Sequence, residues 1–411
     1  MNKIKVLVLP SDRFGVGYFR SLAPHTKLEE LFGDKFDVTI NYEPTYNIYY
    51  YLNYDIIHFH RNIGNDFNKC QELLKELKKH KKITIMDIDD YWNLGQYHPG
   101  HLNHERFNIP KLTIENIKLA DYITTTTSIF AEEISKINSN VKVLVNAIDT
   151  NEKQFIPNPT KSNRLRFGVI CGSTHEHDIA LMNGIATSLP KEIMDKVQFV
   201  LCGFDLRGTI RDINLKDNTI TERPVRPTET FWFKYERVLT NDYKNVSQSY
   251  REFLLRFIPN AVYPNVANEP YKRQWTKDIS QYATHYNDID VLLAPLKETP
   301  FNKFKSQLKV IEAGFFKKAL IAQDFGPYTL DLVPAIEKGG NINENGNALL
   351  VDSSKNHKQW AKYVEKLVKN PELVTKLGNN LYETVKDTYL LDNVTKERAD
   401  FYELIVNDSI E

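Results

Sequence analysis

A glycine and three polar side chains follow directly on an apolar run in the second half of the chain. The segment Gly172–Asp178 reads GSTHEHD and follows the run Leu165–Cys171, LRFGVIC. The backbone at a glycine can approach a ligand closely, and the free N–H groups at the start of a following helix favour a phosphate. We therefore predict a phosphate site formed by Gly172, Ser173, Thr174 and His175. In the alternative interpretation, a hydroxyl group of this segment only caps the helix.

A lysine and a glutamate in Pro300–Gly314, PFNKFKSQLKVIEAG, form the second candidate. Lys305 precedes a helical pattern, and Glu312 lies one turn from Leu308 on the inward face of that helix. A buried carboxylate needs partners, which the hydroxyl groups of a ribose supply, and the point charge of a lysine suits a pyrophosphate. The same periodicity fits a surface lysine and a glutamate that caps a neighbouring element, so both interpretations remain open.

Two glycines separated by one residue follow the first apolar run, in Ser11–Arg20, SDRFGVGYFR. The third glycine of a dinucleotide-binding fingerprint is missing, and no suitable carboxylate follows the second strand, so this pattern argues against NAD binding. We expect Gly15 and Gly17 to form a loop that opens towards a cleft, with Arg13 or Arg20 available for an anion.

Three aspartates lie at the end of the fourth apolar run, in Met86–Trp92, MDIDDYW. A carboxylate at a strand end can orient an acceptor hydroxyl or act as a general base. We expect Asp87 or Asp89 to face the acceptor and Asp90 to cap the segment that follows. Asp87-Ile88-Asp89 also matches a DxD metal motif, but this pattern is common by chance, and we predict no metal.

The spacing of His98, His101 and His104 is loose for a zinc site, because metal ligands form more focused groups with a second shell of partners. We expect loop histidines near the cleft. A basic run on the end of an amphipathic helix is compatible either with a solvated face or with docking on an anionic membrane or polymer. Its members are Lys75, Lys78, Lys79, Lys81 and Lys82.

Short apolar runs alternate with helical patterns along the whole chain, which predicts parallel sheets covered on both faces. The predicted strands are Lys5–Leu9, Asp37–Ile40, Asp55–Phe59, Ile83–Met86, Tyr122–Thr125, Val141–Val145, Leu165–Cys171, Val197–Cys202, Val291–Ala294 and Ala319–Ala322. The predicted helices are Arg20–Phe32, Asn68–His80, Asn108–Leu119, Ser128–Ile137, His175–Ser188 and Ser306–Phe316, followed by a helical tail, Lys358–Val406.

The turn-rich segment Ile156–Arg164, IPNPTKSNR, predicts a linker between two domains. We expect an acceptor domain over residues 1–156, a nucleotide-sugar domain over residues 157–389 and a C-terminal helix over residues 390–411 that returns to the first domain. The long polar and aromatic segment Asp205–Tyr286 is expected to consist of helices and loops that elaborate the second domain.

Composition limits the classes of function. Lys+Arg and Asp+Glu each total 53, so the formal net charge is zero, which argues against a protein that binds nucleic acid over its whole surface. The 3 cysteines are far apart and form no CxxC pair, which fits a reducing cytoplasm. The apolar stretch near the N-terminus is too short for a signal peptide, and no stretch reaches the roughly 18 apolar residues of a membrane span.

Several segments, in this order and spacing, resemble the signatures of one large enzyme group. They are Asp55–His60 (DIIHFH), Ala120–Ile134 (ADYITTTTSIFAEEI), Val143–Phe155 (VLVNAIDTNEKQF), Gly172–Asp178, Ile289–Leu296 (IDVLLAPL), Lys305–Gly314 (KSQLKVIEAG) and Leu320–Tyr328 (LIAQDFGPY). The group is that of the GT-B glycosyltransferases, which includes many bacterial polysaccharide and lipopolysaccharide sugar transferases. The resemblance implies an α/β fold of two Rossmann-like, doubly wound domains facing across a cleft.

The resemblance also implies roles for individual residues. Gly172, Ser173 and Thr174 would contact the donor phosphates, Lys305 the pyrophosphate and Glu312 the nucleotide ribose. Gly15 and Gly17 would lie in the loop that faces donor and acceptor. The group usually carries a second glutamate eight positions before the first, where this chain has Phe304, and many members have a histidine after the fourth strand, where this chain has Asp87.

The expected function is the transfer of a sugar from a nucleotide sugar to a hydroxyl of a glycan or a lipid-linked glycan, in the cytoplasm or at the inner face of a membrane. The resemblance implies a retaining reaction that needs no metal and no cofactor. Catalytic work is expected from Lys305 together with Asp87 or Asp89. Two alternatives remain: a modified nucleic-acid base as acceptor, and a degenerate module that binds sugar nucleotides without turnover.

Overall fold

Two six-stranded parallel sheets organise the protein. The structure, a computed structural model, describes residues 3–205, 209–214, 219–240, 269–337 and 340–410. The first sheet contains Ile4–Leu9 (β1), Phe36–Ile40 (β2), Ile56–His60 (β3), Ile83–Ile88 (β4), Tyr122–Thr125 (β5) and Val141–Val143 (β6). The next strands along the chain are Leu165–Ile170 (β7), Val197–Phe204 (β8), Thr209–Ile213 (β9), Ile220–Pro224 (β10), Tyr271–Trp275 (β11), Val291–Ala294 (β12), Ala319–Gln323 (β13) and Leu349–Val351 (β14).

The strand order is β2-β1-β3-β4-β5-β6 in the first sheet and β11-β8-β7-β12-β13-β14 in the second, while β9 and β10 form a separate antiparallel ribbon. Central strands such as β3, β4 and β12 are buried along their whole length; β12 is apolar throughout, whereas β3 and β4 are mostly apolar and also bury polar side chains such as His60 and Asp87. The strand order of the second sheet matches the doubly wound dinucleotide-binding topology. The strand order of the first sheet differs from that topology at one edge. The predicted fold class, two Rossmann-like units, is confirmed.

Helices cover both sheets. In the first half they are Ala23–Phe32 (α1), Ile48–Tyr51 (α2), Phe67–Lys79 (α3), His101–Arg106 (α4), Ile109–Leu119 (α5) and Ser128–Ser135 (α6). In the second half they are Glu176–Ile179 (α7), Lys191–Met194 (α8), Phe231–Leu239 (α9), Pro300–Lys303 (α10), Leu308–Phe315 (α11), His357–Lys369 (α12), Pro371–Val385 (α13) and Leu391–Ile410 (α14). A π-helical segment, Gly17–Leu22, leads directly into α1. Short 3₁₀ turns cover Lys153–Phe155, Ala180–Met182, Pro227–Glu229, Tyr282–Asp288 and Gly326–Leu330.

Two predicted elements differ from the structure. The helix predicted over His175–Ser188 is wrong: α7 has 4 residues, a 3₁₀ turn follows it, and Gly184 adopts a positive φ of 97° that an α-helix does not allow. The segment Asp205–Tyr286 contains strands β9, β10 and β11 as well as helix α9, so the expectation of helices and loops alone is wrong. Residues 241–268 of that segment lie outside the described residues.

The C-terminal helix α14 packs on the first sheet. Its Ala399, Tyr402 and Ile405 form one buried cluster with residues of β1, β3 and β4, among them Val8 and Ile56. Helix α13, which precedes it, instead contributes Leu381 and Val385 to a cluster of the second sheet. The segment between these helices therefore leads the chain from the second sheet back to the first. The exact domain boundaries at residues 156 and 389 stay a prediction.

Candidate active site

The carboxyl ends of the two sheets face each other across a cleft of ≈ 370 Å³. Parallel strands bring the residues after each strand to one edge, so a cleft between two such edges collects polar loops from both sheets. Asp89 and Asp90 line it from the end of β4, while Gly172, Lys305, Lys309 and Glu312 line it from the second half of the chain. Some of the sequence candidates from both halves therefore meet in one place, whereas Gly15, Gly17, Asp87, Ser173 and Thr174 are not part of the cleft wall.

The loop after β7 presents an open backbone to this cleft. A side chain added at Gly172 would meet no atom within 4 Å, and Ser173 and Thr174 are exposed. Neither hydroxyl caps α7, because its N-cap residue is His175 and no side-chain cap bond forms. Hydrogen bonds to Tyr235 hold the loop instead. The Tyr235 hydroxyl accepts from the His175 backbone N–H (3.0 Å) and donates to the Ser173 carbonyl (2.9 Å).

The His175 side chain is tied to a buried aspartate. Its Nδ1 lies 2.8 Å from Asp178 Oδ2, and Asp178 also accepts from the backbone N–H of Lys297 and the amide of Asn302, each at 2.8 Å. Burial lowers the pKa of His175, while the Asp178 hydrogen bond opposes that shift. Helix α7 has only one turn and contains Asp178, so its N-terminus contributes less positive potential here than the sequence suggested.

Three lysines line the cleft and supply positive charge, namely Lys277, Lys305 and Lys309. The Lys305 Nζ lies 3.7 Å from Asp90 Oδ1 and 4.6 Å from the centre of the Phe301 ring, so this side chain reaches from the second half of the chain to the first. Four residues later, in the first turn of α11, the Lys309 Nζ donates to the carbonyl of Ile170 at the end of β7. Sequence reasoning overlooked Lys309, although its i, i+4 spacing from Lys305 was the available signal.

Glu312 lies on the inward side of α11, as predicted, but it is already engaged by two phenols. Tyr282 and Tyr286 donate hydrogen bonds to its two carboxylate oxygens, the second at 2.8 Å. Burial raises the pKa of Glu312, and the hydrogen bonds from the two tyrosines oppose that shift. A carboxylate can accept about four hydrogen bonds, so a ribose diol could still bind beside the phenols.

The structure corrects the expectation that Asp87 faces the acceptor. Asp87 is 0% exposed, and Arg20 binds both of its oxygens, through Nη2 at 2.7 Å and Nε at 3.0 Å, while the Thr124 hydroxyl donates to it at 2.6 Å. Burial alone would raise the pKa of Asp87, but the charge and hydrogen bonds of Arg20 hold it below its usual value. Asp87 is therefore a buried counter-ion for Arg20, and Arg20 is not free to bind an external anion.

Asp89 and Asp90 are the aspartates that reach the cleft. Asp89 accepts from His60 Nε2 (2.9 Å) and from Arg61 Nη2 (2.7 Å), and the Arg61 charge holds the pKa of this carboxyl low in spite of its burial. Asp90 lies 3.4 Å from Arg61 and 3.7 Å from Lys305. We expected Asp90 to cap the segment that follows it; the next helix, α4, begins only at His101, so Asp90 is not the N-cap of a helix.

A second cavity of ≈ 790 Å³ opens on the first sheet beside these aspartates. Its wall includes Asp90, which also lines the cleft, so Asp90 borders both spaces. The remaining wall is mixed polar and aromatic, with Tyr42, Tyr46, His60, Arg61 and the start of the glycine loop at Ser11 and Asp12. The cavity therefore adjoins the cleft at Asp90.

The two glycines of the N-terminal loop have different roles. A Cβ at Gly17 would lie 1.9 Å from the carbonyl oxygen of Asp12, so the tight approach of this loop to the π-helical segment requires glycine. A Cβ at Gly15 meets nothing within 4 Å. Arg13 stacks on Tyr42, with its guanidinium carbon 4.0 Å from the ring centre. Gly17 therefore shapes the loop, while Gly15 lies in its open part.

Phe304 occupies the position where the resembled group has its other glutamate. Its ring is buried against aromatic side chains of the first half of the chain, 4.7 Å from Tyr91 and 5.4 Å from Phe130 between ring centres, in a cluster that also holds Trp92. The residue before Lys305 is thus a contact between the two halves of the molecule. Phe304 does not line the cleft, and this position offers no polar group to a ligand there.

The histidine and lysine candidates lie apart from the cleft centre. His98 Nδ1 accepts from the Gly100 backbone N–H (3.0 Å), and its ring packs 5.2 Å from Phe301. In the described ranges no three His, Cys, Asp or Glu side chains group as metal ligands do. Lys78, Lys81 and Lys82 line a separate surface cavity with Lys118 and Asp408. Among the described helices, none is both long and apolar enough to cross a membrane.

Solved structures share the fold over nearly the whole chain. The sucrose-phosphate synthase of Thermosynechococcus elongatus is 11% identical, with a TM-score of 0.60 over 99% of this chain and 100% of that one. Anabaena HepE in complex with UDP and glucose is 10% identical, with a TM-score of 0.59 over 97% and 99%. An α-glucosyltransferase in complex with UDP and a 13-mer DNA containing a HMU base is 12% identical, with a TM-score of 0.55 over 97% and 99%. No protein-family model and no curated protein sequence matches this chain.

Proposed function

We propose that this chain, which has the GT-B fold, is a glycosyltransferase that moves a sugar from a nucleotide sugar to a hydroxyl of a glycan or a lipid-linked glycan. The observation that carries the proposal is the meeting of Lys305, Lys309 and the open Gly172 loop with Asp89 and Asp90 in one cleft between two sheet edges. Positive charge and free backbone on one side, and carboxylates on the other, suit a diphosphate leaving group and a hydroxyl nucleophile.

Stabilisation of the leaving group is the main catalytic work in this proposal. When the sugar leaves the donor, negative charge develops on the diphosphate, and preorganised cations lower the barrier because they need no rearrangement. Lys305 precedes α11, Lys309 lies in its first turn, and both line the cleft, so both ammonium groups can face one diphosphate. Gly172, Ser173 and Thr174 would add backbone and hydroxyl donors, and Glu312 would bind the ribose.

Asp90 is our candidate for the contact with the acceptor hydroxyl, with Asp89 fixing Arg61 and His60 beside it. Asp90 borders both the cleft and the adjoining cavity, so a hydroxyl bound in the cavity meets this carboxylate before it meets the donor. Lys305 pairs with Asp90. A bound diphosphate would draw the lysine away and leave the carboxylate free to accept a hydrogen bond.

The decisive experiment is a thermal-shift panel of nucleotide sugars followed by a hydrolysis assay without acceptor. A bound ligand raises the melting temperature, and slow donor hydrolysis distinguishes an enzyme from a degenerate binding module. We expect stabilisation by at least one nucleotide sugar and release of its sugar. Absence of any shift across the panel would contradict the proposed function, and a shift without hydrolysis would favour the binding module.

Metal independence and the cytoplasmic location belong to the same proposal. Because Arg61 and Lys305 neighbour Asp89 and Asp90, a divalent cation there would meet like charges. Hydrolysis should therefore persist in EDTA, and loss that manganese restores would show that a metal is needed. The 3 free cysteines fit a reducing compartment.

A modified nucleic-acid base remains the second acceptor class. The specific observation in its favour is the similar structure solved with DNA bound. Binding that weakens steeply with salt would support a nucleic-acid acceptor, because phosphate contacts release counter-ions. Transfer to a glycan acceptor at unchanged rate in high salt would exclude it.

A further inference from the structure

A buried arginine without a carboxylate partner lies where α14 meets the first sheet. Arg398 is 1% exposed, and its Nη1 donates to the Tyr402 hydroxyl at 3.1 Å. Among residues 3–205, 209–214, 219–240, 269–337 and 340–410, no carboxylate forms an ion pair with Arg398, and its Nε has no hydrogen-bond partner. A buried charge is costly unless an opposite charge and hydrogen bonds compensate it.

The carboxylate of this region, Asp87, already pairs with another arginine. Asp87 is bound through both oxygens by Arg20 and accepts a further bond from Thr124. Both arginines and Asp87 are at most 1% exposed. Among the side chains of the described residues, this buried region between α1, β3 and α14 therefore holds two guanidinium groups against the single carboxylate of Asp87, and Arg398 has no opposite charge beside it.

The partner that Arg398 does have is neutral. His25 Nδ1 lies 2.7 Å from the carbonyl of Ser21, which only accepts, so Nδ1 carries the proton. His25 Nε2, 2.8 Å from the Tyr402 hydroxyl, must then accept from that hydroxyl. The phenol oxygen is thereby a neutral acceptor for Arg398. This relay is fully bonded, and no member of it supplies a negative charge.

Further donors around the relay also lack partners. The hydroxyls of Ser21 and Thr395 and both ring nitrogens of His58 have no hydrogen-bond partner, and each of these side chains is 0% exposed. The His58 ring lies 4.5 Å from the His25 ring, and Thr395 lies one turn before Arg398 on α14. Burial and the charges of Arg398 and Arg20 lower the pKa of His58, so this ring is neutral and has one N–H to donate.

We propose that this region binds a small monovalent anion, chloride in the cell, as the counter-ion of Arg398. The guanidinium Nε–H, two hydroxyl groups and one imidazole N–H are the kinds of donor that a halide accepts, and they come from three elements: the π-helical segment Gly17–Leu22 before α1, strand β3 and helix α14. The anion would attach the C-terminal helix to the first sheet. This inference does not depend on the proposed enzymatic function.

Anomalous diffraction from crystals grown or soaked in sodium bromide tests the site directly. We expect a bromide peak beside Arg398 Nε in the wild-type protein. Ordered water without anomalous signal at that position would overturn the proposal, because it would show that neutral molecules satisfy these donors.

Thermal unfolding gives a second, independent readout in solution. The melting temperature of the wild-type protein should be higher in sodium chloride than in sodium gluconate of equal ionic strength, since a ligand that binds the folded state stabilises it. Arg398→Gln should remove this difference, whereas Lys396→Gln, which removes an exposed charge from the same helix, should keep it. A chloride effect that survives in Arg398→Gln would contradict the site. If that variant does not fold, the bromide experiment on the wild type decides.

Discussion

Lys305, in the loop before α11, and Lys309, in the first turn of α11, place positive charge where the proposed leaving group departs, and Lys305 is the one that reaches across the cleft. Lys305→Ala should lower turnover about 100-fold, because removing one preorganised contact to developing charge costs roughly 3 kcal/mol. Lys78→Ala is the matched control, since Lys78 lies in the separate surface cavity. Steady-state rates of donor hydrolysis provide the measurement. Equal rates for the two variants would show that Lys305 is only a surface residue.

The aspartates of the β4 end should respond differently to loss of charge. Asp90→Asn should lower kcat by roughly 10²–10⁴-fold if the carboxylate acts on the acceptor hydroxyl, while nucleotide binding stays normal. The measurement combines transfer kinetics with the thermal shift caused by the donor. If Asp90→Asn keeps full activity, the Asp90 carboxylate has no role in catalysis and serves only in its ion pairs with Arg61 and Lys305.

Asp87→Asn should instead destabilise the protein, because it leaves the buried Arg20 without its counter-ion. Breaking a buried pair costs about 3–5 kcal/mol in the free energy of unfolding. Since the folded-state pKa of Asp87 is depressed, its contribution is present above the unfolded pKa and is lost as pH falls through the folded pKa. Urea unfolding at neutral pH measures the loss, and an unchanged midpoint would contradict this structural role.

The fate of Asp87 also shows what the sequence can reveal at this scale. Strand β4 continues to Ile88, beyond the apolar run, and Asp87 pairs in register with His60 and Thr124 inside the sheet. Its partner Arg20 lies 67 residues away. Local pattern identifies the strand end and the cluster of acids, but not which acid has a long-range partner.

The helices and strands that could be predicted are those with one dominant pattern of apolar residues. Strands buried on both faces are mostly apolar, so β12 and the apolar parts of β3 and β4 follow from the sequence pattern, whereas the burial of His60 and Asp87 within β3 and β4 does not. The edge strand β11, with the sequence YKRQW, pairs on one side and keeps polar side chains, which is why its pattern resembled no strand. The break after α7 depends on Gly184, whose conformation the helical periodicity of the neighbouring apolar residues does not reveal.

The loop that joins α10 and α11 carries Phe304 and Lys305 side by side, so packing of the one should position the other. Phe304→Ala would remove the ring that packs on Tyr91 and Phe130, and we expect kcat to fall at least about 10-fold with nucleotide affinity little changed, because misplacing a catalytic group is costly. Phe107→Ala, at a ring that is 60% exposed, is the control. If Phe304→Ala changes affinity and kcat no more than the control, the contact has no role in positioning Lys305.

At the scale of the whole molecule, helix α14 leads the chain back to the first sheet and packs on it. This helix buries Val394, Tyr402 and Ile405, and fully burying one such side chain contributes about 1.5–3 kcal/mol. Their sum is comparable with the roughly 5–15 kcal/mol by which a domain is stable, so the first sheet should depend on a helix that is the last element of the sequence.

Truncation after Leu390 tests this dependence. We expect the truncated protein to lose cooperative unfolding of its first domain and to bind a hydrophobic dye, because residues of β1 and β3 such as Val8 and Ile56 lose their cover. Truncation after Asp408 keeps the buried stripe and is the control, which should melt as the full chain does. Differential scanning calorimetry distinguishes the outcomes, since a domain that unfolds independently of α14 would leave the thermogram unchanged. An intact transition after loss of residues 391–411 would mean that the first sheet is stable alone and that α14 only covers it.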